Sequence, residues 1–182
     1  MSLRNTVSTY GSVAKFFHWL IFLLLFFMIV FGFFLEDLPK DYQPVAYNLH
    51  KLTGLTILAL MVLRGFWALV NPKPALPADT LAWQRMAERI VHFLFYVAVI
   101  TMPLAGWIGS VAGGRPPHLG DFKFTLPIEQ NKALAEAAFE LHGIVAIVII
   151  VLFVIHVTAA LYHHYIKKDD VLRRMLPYSG HR

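Results

Sequence analysis

The sequence predicts an all-α integral membrane protein, a four-helix bundle with both termini cytoplasmic, and three observations predict it. The chain is 58% hydrophobic and only 15% charged, against about 25% charged in soluble domains. Four apolar stretches are each long enough to cross a hydrocarbon layer of roughly 30 Å, which takes about 20 helical residues. The basic residues are divided unequally between the two sets of connections, the bias that orients short-looped membrane proteins.

The first span covers about residues 16–35. Arg4 and Lys15 precede it as basic residues precede a signal peptide, but it is too long for a signal core and no small-x-small cleavage pattern follows, so it is expected to remain as a helix. Glu36, Asp37, Pro39 and Asp41 close it. The second span, about 50–70, ends in the helix-breaking link Asn71-Pro72-Lys73-Pro74 with Pro77 beyond. The third, about 89–111, stops at Gly113-Gly114-Arg115-Pro116-Pro117. The polar, alanine-rich segment 127–140 is expected to form a short surface helix leading into the fourth span, about 139–166. No repeat or long linker divides the chain, which reads as one domain over 1–182.

Of the 16 lysines and arginines, Lys40, Lys51, Arg115, Lys123 and Lys132 fall on one side of the membrane. All the others, Arg182 included, fall with the N-terminus, the second-to-third loop and the C-terminus, which places those on the cytoplasmic side. The net charge of +5 is therefore a topology signal. The basic residues flank apolar runs and form no stripe interleaved with aromatics, so the expected partner is the lipid bilayer and no nucleic acid.

With no cysteine in the chain, disulfides, thiolate metal sites, iron–sulfur clusters and Cys-x-x-Cys-His haem attachment are excluded. Nine histidines remain. An ionisable side chain at membrane depth is costly and marks a pathway or a cofactor. His18, His50, His92, His142 and His156 meet that description. Because successive helices alternate in direction, His18, His92 and His156 lie at the inner level, and His50 and His142 at the outer level. The 14 residues from His142 to His156 turn a helix by about 1400° and advance it by about 21 Å, so the two imidazoles share one face at two depths. A haem takes axial ligands from opposite sides of its plane. One helix presenting two histidines therefore calls for a partner at each depth, His50 for His142 and, at the inner level, His18 as a better match for His156 than His92. Two bis-histidine haems stacked across the bilayer follow, with Gly54 and Gly143 leaving room for the macrocycles.

Other polar residues are assigned around this frame. His92 is expected beside the inner haem or a quinone. His163, seven residues beyond His156 and so on the same face, is the candidate to hydrogen-bond a quinone carbonyl and protonate it, in preference to His164. Lys51, next to His50, is a candidate contact for a haem propionate or a small anion. His118 is read as a surface-loop residue and His181 as a tail residue.

The order and spacing of these residues resemble the bacterial cytochrome b561 family along nearly the whole chain. The resemblance rests on Phe17-His18-Trp19, on His50 with Gly54, on His92 with Tyr96 and Pro103, and on His142-Gly143 with His156. His163-His164-Tyr165, Lys168-Asp169 and Leu172 through Pro177 continue it in the tail. It implies haem b ligated by the pairs His18/His156 and His50/His142, and electron exchange with ubiquinone in the bacterial inner membrane. Some members of that family oxidise superoxide at the periplasmic face and pass its electron to ubiquinone, and this is the expected reaction. Others relay electrons for a hydrogenase or a dehydrogenase, and the absence of extra extensions favours the stand-alone oxidase. A haem-free divalent-metal transporter built on the same histidines is the alternative from another class, disfavoured because the spans carry almost no carboxylates.

Overall fold

The computed structural model describes residues 2–77 and 80–177. His181 and Arg182, read above as tail residues, lie outside the described residues. Four helices dominate, α1 (Ser12–Phe33), α2 (Gln43–Leu69), α3 (Ala82–Ala112) and α4 (Lys132–Tyr162). Each is long and apolar enough to cross a membrane. The predicted fold class therefore holds.

The helices run beyond the apolar stretches that announce them, because hydropathy marks only the part embedded in lipid while backbone hydrogen bonding continues into polar sequence. The start of α2 at Gln43 puts Pro44 in the first turn, where its missing N–H is no loss. Segment 127–140 forms no separate surface helix. Residues before Asn131 are irregular, the Asn131 side chain accepts the Leu134 N–H at 2.9 Å, and α4 then runs unbroken from Lys132. With that cap and no breaker in the alanine-rich stretch, the polar segment is the projecting first turns of the fourth span.

At the outer end, α3 stops at Gly113 and Gly114, the latter at φ 73°, a left-handed conformation that glycine adopts freely. A small hairpin that the sequence reading did not anticipate follows, pairing β1 (His118–Leu119) with β2 (Phe122–Lys123) around Gly120 at φ 58°. Asn48 anchors it by accepting the His118 N–H and donating to the His118 carbonyl, at 3.0 and 2.8 Å. Trp107 holds the strand after it by donating to the Phe124 carbonyl at 2.9 Å.

At the inner end the last turn of α4 widens into a π-type turn, His163–Lys167. The segment after it straps back across the bundle. Lys15 and Trp19 of α1 donate to the carbonyls of Leu176 and Met175, both at 2.9 Å, and Arg174 donates to the Ala75 carbonyl.

The buried core is a cluster of Ile21, Ile57, Met61, Ala98, Val99, Met102, Val145, Ile149 and Leu152. On α4 its members fall between His142 and His156, and on α2 between His50 and Arg64. The core is thus an apolar septum between the two histidine levels. Most of the remaining aliphatic and phenyl side chains point outward, as lipid-facing residues do.

Candidate functional site

The structure brings together both histidine pairs expected from depth. The His50 and His142 rings have centroids 6.1 Å apart, inclined at 65°. Those of His18 and His156 are 6.3 Å apart, inclined at 58°. Two imidazoles that grip one metal ion along bonds of about 2 Å each have centroids about 6 Å apart. The spacing at each level is that of an axial pair.

The outer pair lines a largely apolar cavity of about 290 Å³. His142 donates from Nδ1 to the Met102 carbonyl at 2.7 Å, which fixes the tautomer and leaves Nε2 as the electron-pair donor. His50 Nδ1 and the hydroxyl of Ser110 are buried without hydrogen-bond partners, and both residues line the cavity. Gly143 also lines it, and a Cβ there would meet nothing within 4 Å; at Gly54 a Cβ would meet only Pro103, at 3.9 Å. Space held open by glycines, a donor nitrogen from each side and orphaned polar atoms facing the space together fit a haem.

Two glycines that sequence reasoning missed do the closer work. A Cβ on Gly106 would lie 3.0 Å from His142 Nδ1, and one on Gly32 would lie 3.2 Å from His50 Cε1. The absence of both side chains lets each imidazole rest against the neighbouring helix. Nothing in the local pattern distinguishes these positions from other glycines of a membrane helix.

Lys51 lines the cavity, and its Nζ donates to the Arg115 carbonyl at 2.8 Å. It therefore stands at the edge of the outer level, where the expected propionate or anion contact would need it.

The inner level is charged. His92 lies edge-on to His156 at 5.5 Å between centroids, and its Nδ1 lies 2.9 Å from a carboxylate oxygen of Glu88. Glu88 also holds Lys73 at 2.5 Å, so a chain of polar groups connects the inner pair to the inner surface. Arg64 of α2, which the sequence reading counted only among the cytoplasmic-side cations, approaches His18 Nδ1 at 3.4 Å and lies over the Tyr96 ring, 5.8 Å from its centroid. An arginine five residues before the end of an apolar helix was legible as a membrane-depth cation, but its contact with His18 was not.

His163 is 17% exposed and its Nδ1 meets Asp169 at 2.5 Å. Asp169 is carried back to it by the left-handed turn at Lys168, φ 55°. The unpartnered Nδ1 of His164 is buried. His118 sits exposed in the outer hairpin, where its backbone is held by Asn48 of α2.

A four-helix membrane protein with facing histidines at two depths belongs to the class of bundle cytochromes. The family model described as prokaryotic cytochrome b561 matches residues 9–178, and the chain belongs to that family. It is 32% identical to "Cytochrome b561 homolog 2" of Escherichia coli K12, over 99% of this chain and 97% of that one. It is 29% identical to "Probable superoxide oxidase CybB" of Yersinia pestis, over 88% of this chain and 91% of the relative. A third relative, "Cytochrome b562" of Cereibacter sphaeroides, is 26% identical over 87% of this chain and 89% of its own length. Family membership makes the protein a haem b-binding electron carrier and a multi-pass protein of the bacterial inner membrane. It also displaces the metal-transporter reading; among the described residues no group of three or more histidines and carboxylates is arranged to hold a metal ion.

Proposed function

We propose that the protein is a di-haem quinone oxidoreductase that takes single electrons from superoxide at the periplasmic face and delivers them to ubiquinone at the cytoplasmic side. The observation that carries the reading is the presence of two histidine pairs, at 6.1 and 6.3 Å, with an apolar septum between them. One such pair would make a haem protein; two at different depths make a route across the bilayer. Bound haem supplies a reversible one-electron couple at each level.

The residues divide the remaining tasks. His50 and His142 hold the outer group, and His18 and His156 the inner one. Lys51 adds positive charge at the outer edge, favouring the approach of a small anion. Ubiquinone accepts two electrons and two protons, while two superoxide anions give up one electron each and leave as oxygen. His163 stands at the inner end to donate a hydrogen bond, and then a proton, to the quinone oxygen, with Asp169 orienting its ring and restoring its charge balance. His92 and Glu88 form the polar boundary of the inner pair. The relative named as a superoxide oxidase supports superoxide as donor.

The test is purified protein with a counted haem content, a steady enzymatic source of superoxide and a soluble ubiquinone analogue. The expected result is two haems per chain, reduced by superoxide and reoxidised by the quinone, with superoxide dismutase abolishing the signal. A protein with two haems that superoxide leaves oxidised would transfer the donor role to a partner dehydrogenase or hydrogenase. One haem per chain would end the two-level reading.

A further inference from the structure

The two levels differ in the proton of a single imidazole. At the outer level His142 Nδ1 donates to the Met102 carbonyl, as a ring that binds metal through its other nitrogen must. At the inner level His18 Nδ1 faces an Nη of Arg64 at 3.4 Å. A guanidinium only donates and keeps its proton in proteins, so this contact makes His18 Nδ1 an acceptor. In neutral His18 the ring proton is then on Nε2. That tautomer is wrong for Nε2 ligation, and Nδ1 ligation would put the metal where the guanidinium stands. The contact and the ligand role exclude each other.

Arg64 is also short of a counter-ion. It is half-buried in a membrane-crossing helix, where a permanent cation is costly unless paired. Among the described residues no ion pair reaches it. Glu88, the carboxylate of this level, is engaged by Lys73 and His92. The Arg64 guanidinium also lies over the face of the Tyr96 ring. Haem b brings two propionate carboxylates of its own, which suit the fork of a guanidinium.

We infer that Arg64 leaves His18 when haem occupies the inner level, pairs with a propionate there, and by its fixed charge makes the inner haem the easier of the two to reduce. This rests on the two-haem reading above. A positive charge disfavours the oxidised iron, which carries one more positive charge than the reduced iron, so the inner midpoint potential rises and electrons run inward from the outer level. At the outer level the cation that lines the cavity, Lys51, gives its Nζ to the Arg115 carbonyl and not to a ligand imidazole.

The experiment is a spectroelectrochemical titration of the haem-loaded protein and of its Arg64→Gln and Arg64→Lys variants, with the inner component identified as the one missing from His18→Ala. The expected result is an inner midpoint that falls in Arg64→Gln and returns towards the parent in Arg64→Lys, while the outer midpoint stays within error. If Arg64→Gln instead loses the inner haem and Arg64→Lys keeps it, the charge is still needed and the inference stands. Midpoints unmoved in Arg64→Gln, an equal fall in both variants, or loss of the inner haem from both would overturn it while leaving two haems in the parent protein. A parent protein with a single haem would overturn the underlying reading as well.

Discussion

The outer and inner levels of the bundle share a ligand geometry and little else. Both present two imidazoles about 6 Å apart from facing helices. Around the outer pair the walls are mostly glycine, aliphatic and aromatic side chains, with Lys51 and Ser110 among them, and a backbone carbonyl orients His142. Around the inner pair stand Arg64, Glu88 and His92, and the C-terminal strap closes the end with His163 and Asp169. An electron alone can be held in an apolar pocket, whereas charge compensation and proton delivery need ionisable groups. On the proposed function, the contrast teaches that the outer level holds its group in place while the inner level couples its charge to the surroundings.

The sharpest way to break the comparison is to remove one imidazole from each level. His142→Ala and His156→Ala should each halve the haem per chain and leave the other component's absorption bands in place. Pyridine haemochrome assays on purified variants measure this, and loss of both haems from either variant would show that the levels are one structural unit. The next largest effect falls on the inner level alone. His163→Ala should slow quinone reduction about 10²-fold and Asp169→Asn roughly 10-fold, with haem content unchanged, as expected for loss of a proton donor and of the group that orients it. Stopped-flow reoxidation of the pre-reduced protein by quinone reads both.

A smaller effect should mark the outer level. Gly106→Ala puts a Cβ within 3.0 Å of His142 Nδ1, a crowding that costs about 1–3 kcal/mol. It should lower outer-haem occupancy while leaving the inner component unaffected, as spectra of the purified variant would show. The smallest effect tests only the scaffold. Asn131→Ala removes the α4 cap and should cost about 1 kcal/mol, seen as a lower unfolding temperature with both haems retained.

Much of the frame was legible in the sequence because it depends on one-dimensional periodicity. The 14-residue step from His142 to His156 fixes face and depth on any α-helix, so that step and the alternation of helix direction were enough to pair the rings. The closing of the first three spans by acidic, proline and glycine residues was legible for a similar reason. Helix starts were less so, since Gln43 and Lys132 lie in polar sequence that hydropathy does not register. The hairpin at His118–Lys123 is too short to show strand alternation, and its anchor, Asn48, lies on another helix.

By itself, then, the sequence determined the membrane class, the number of spans and the histidines that can meet at each depth, because lipid solvation and helical repeat act locally along the chain. Only the tertiary structure decided which glycines let the imidazoles approach, that Met102 orients His142, that Arg64 confronts His18 and that Asp169 returns to His163. Those relations depend on the distance and rotation between helices, which arise from packing side chains far apart in sequence.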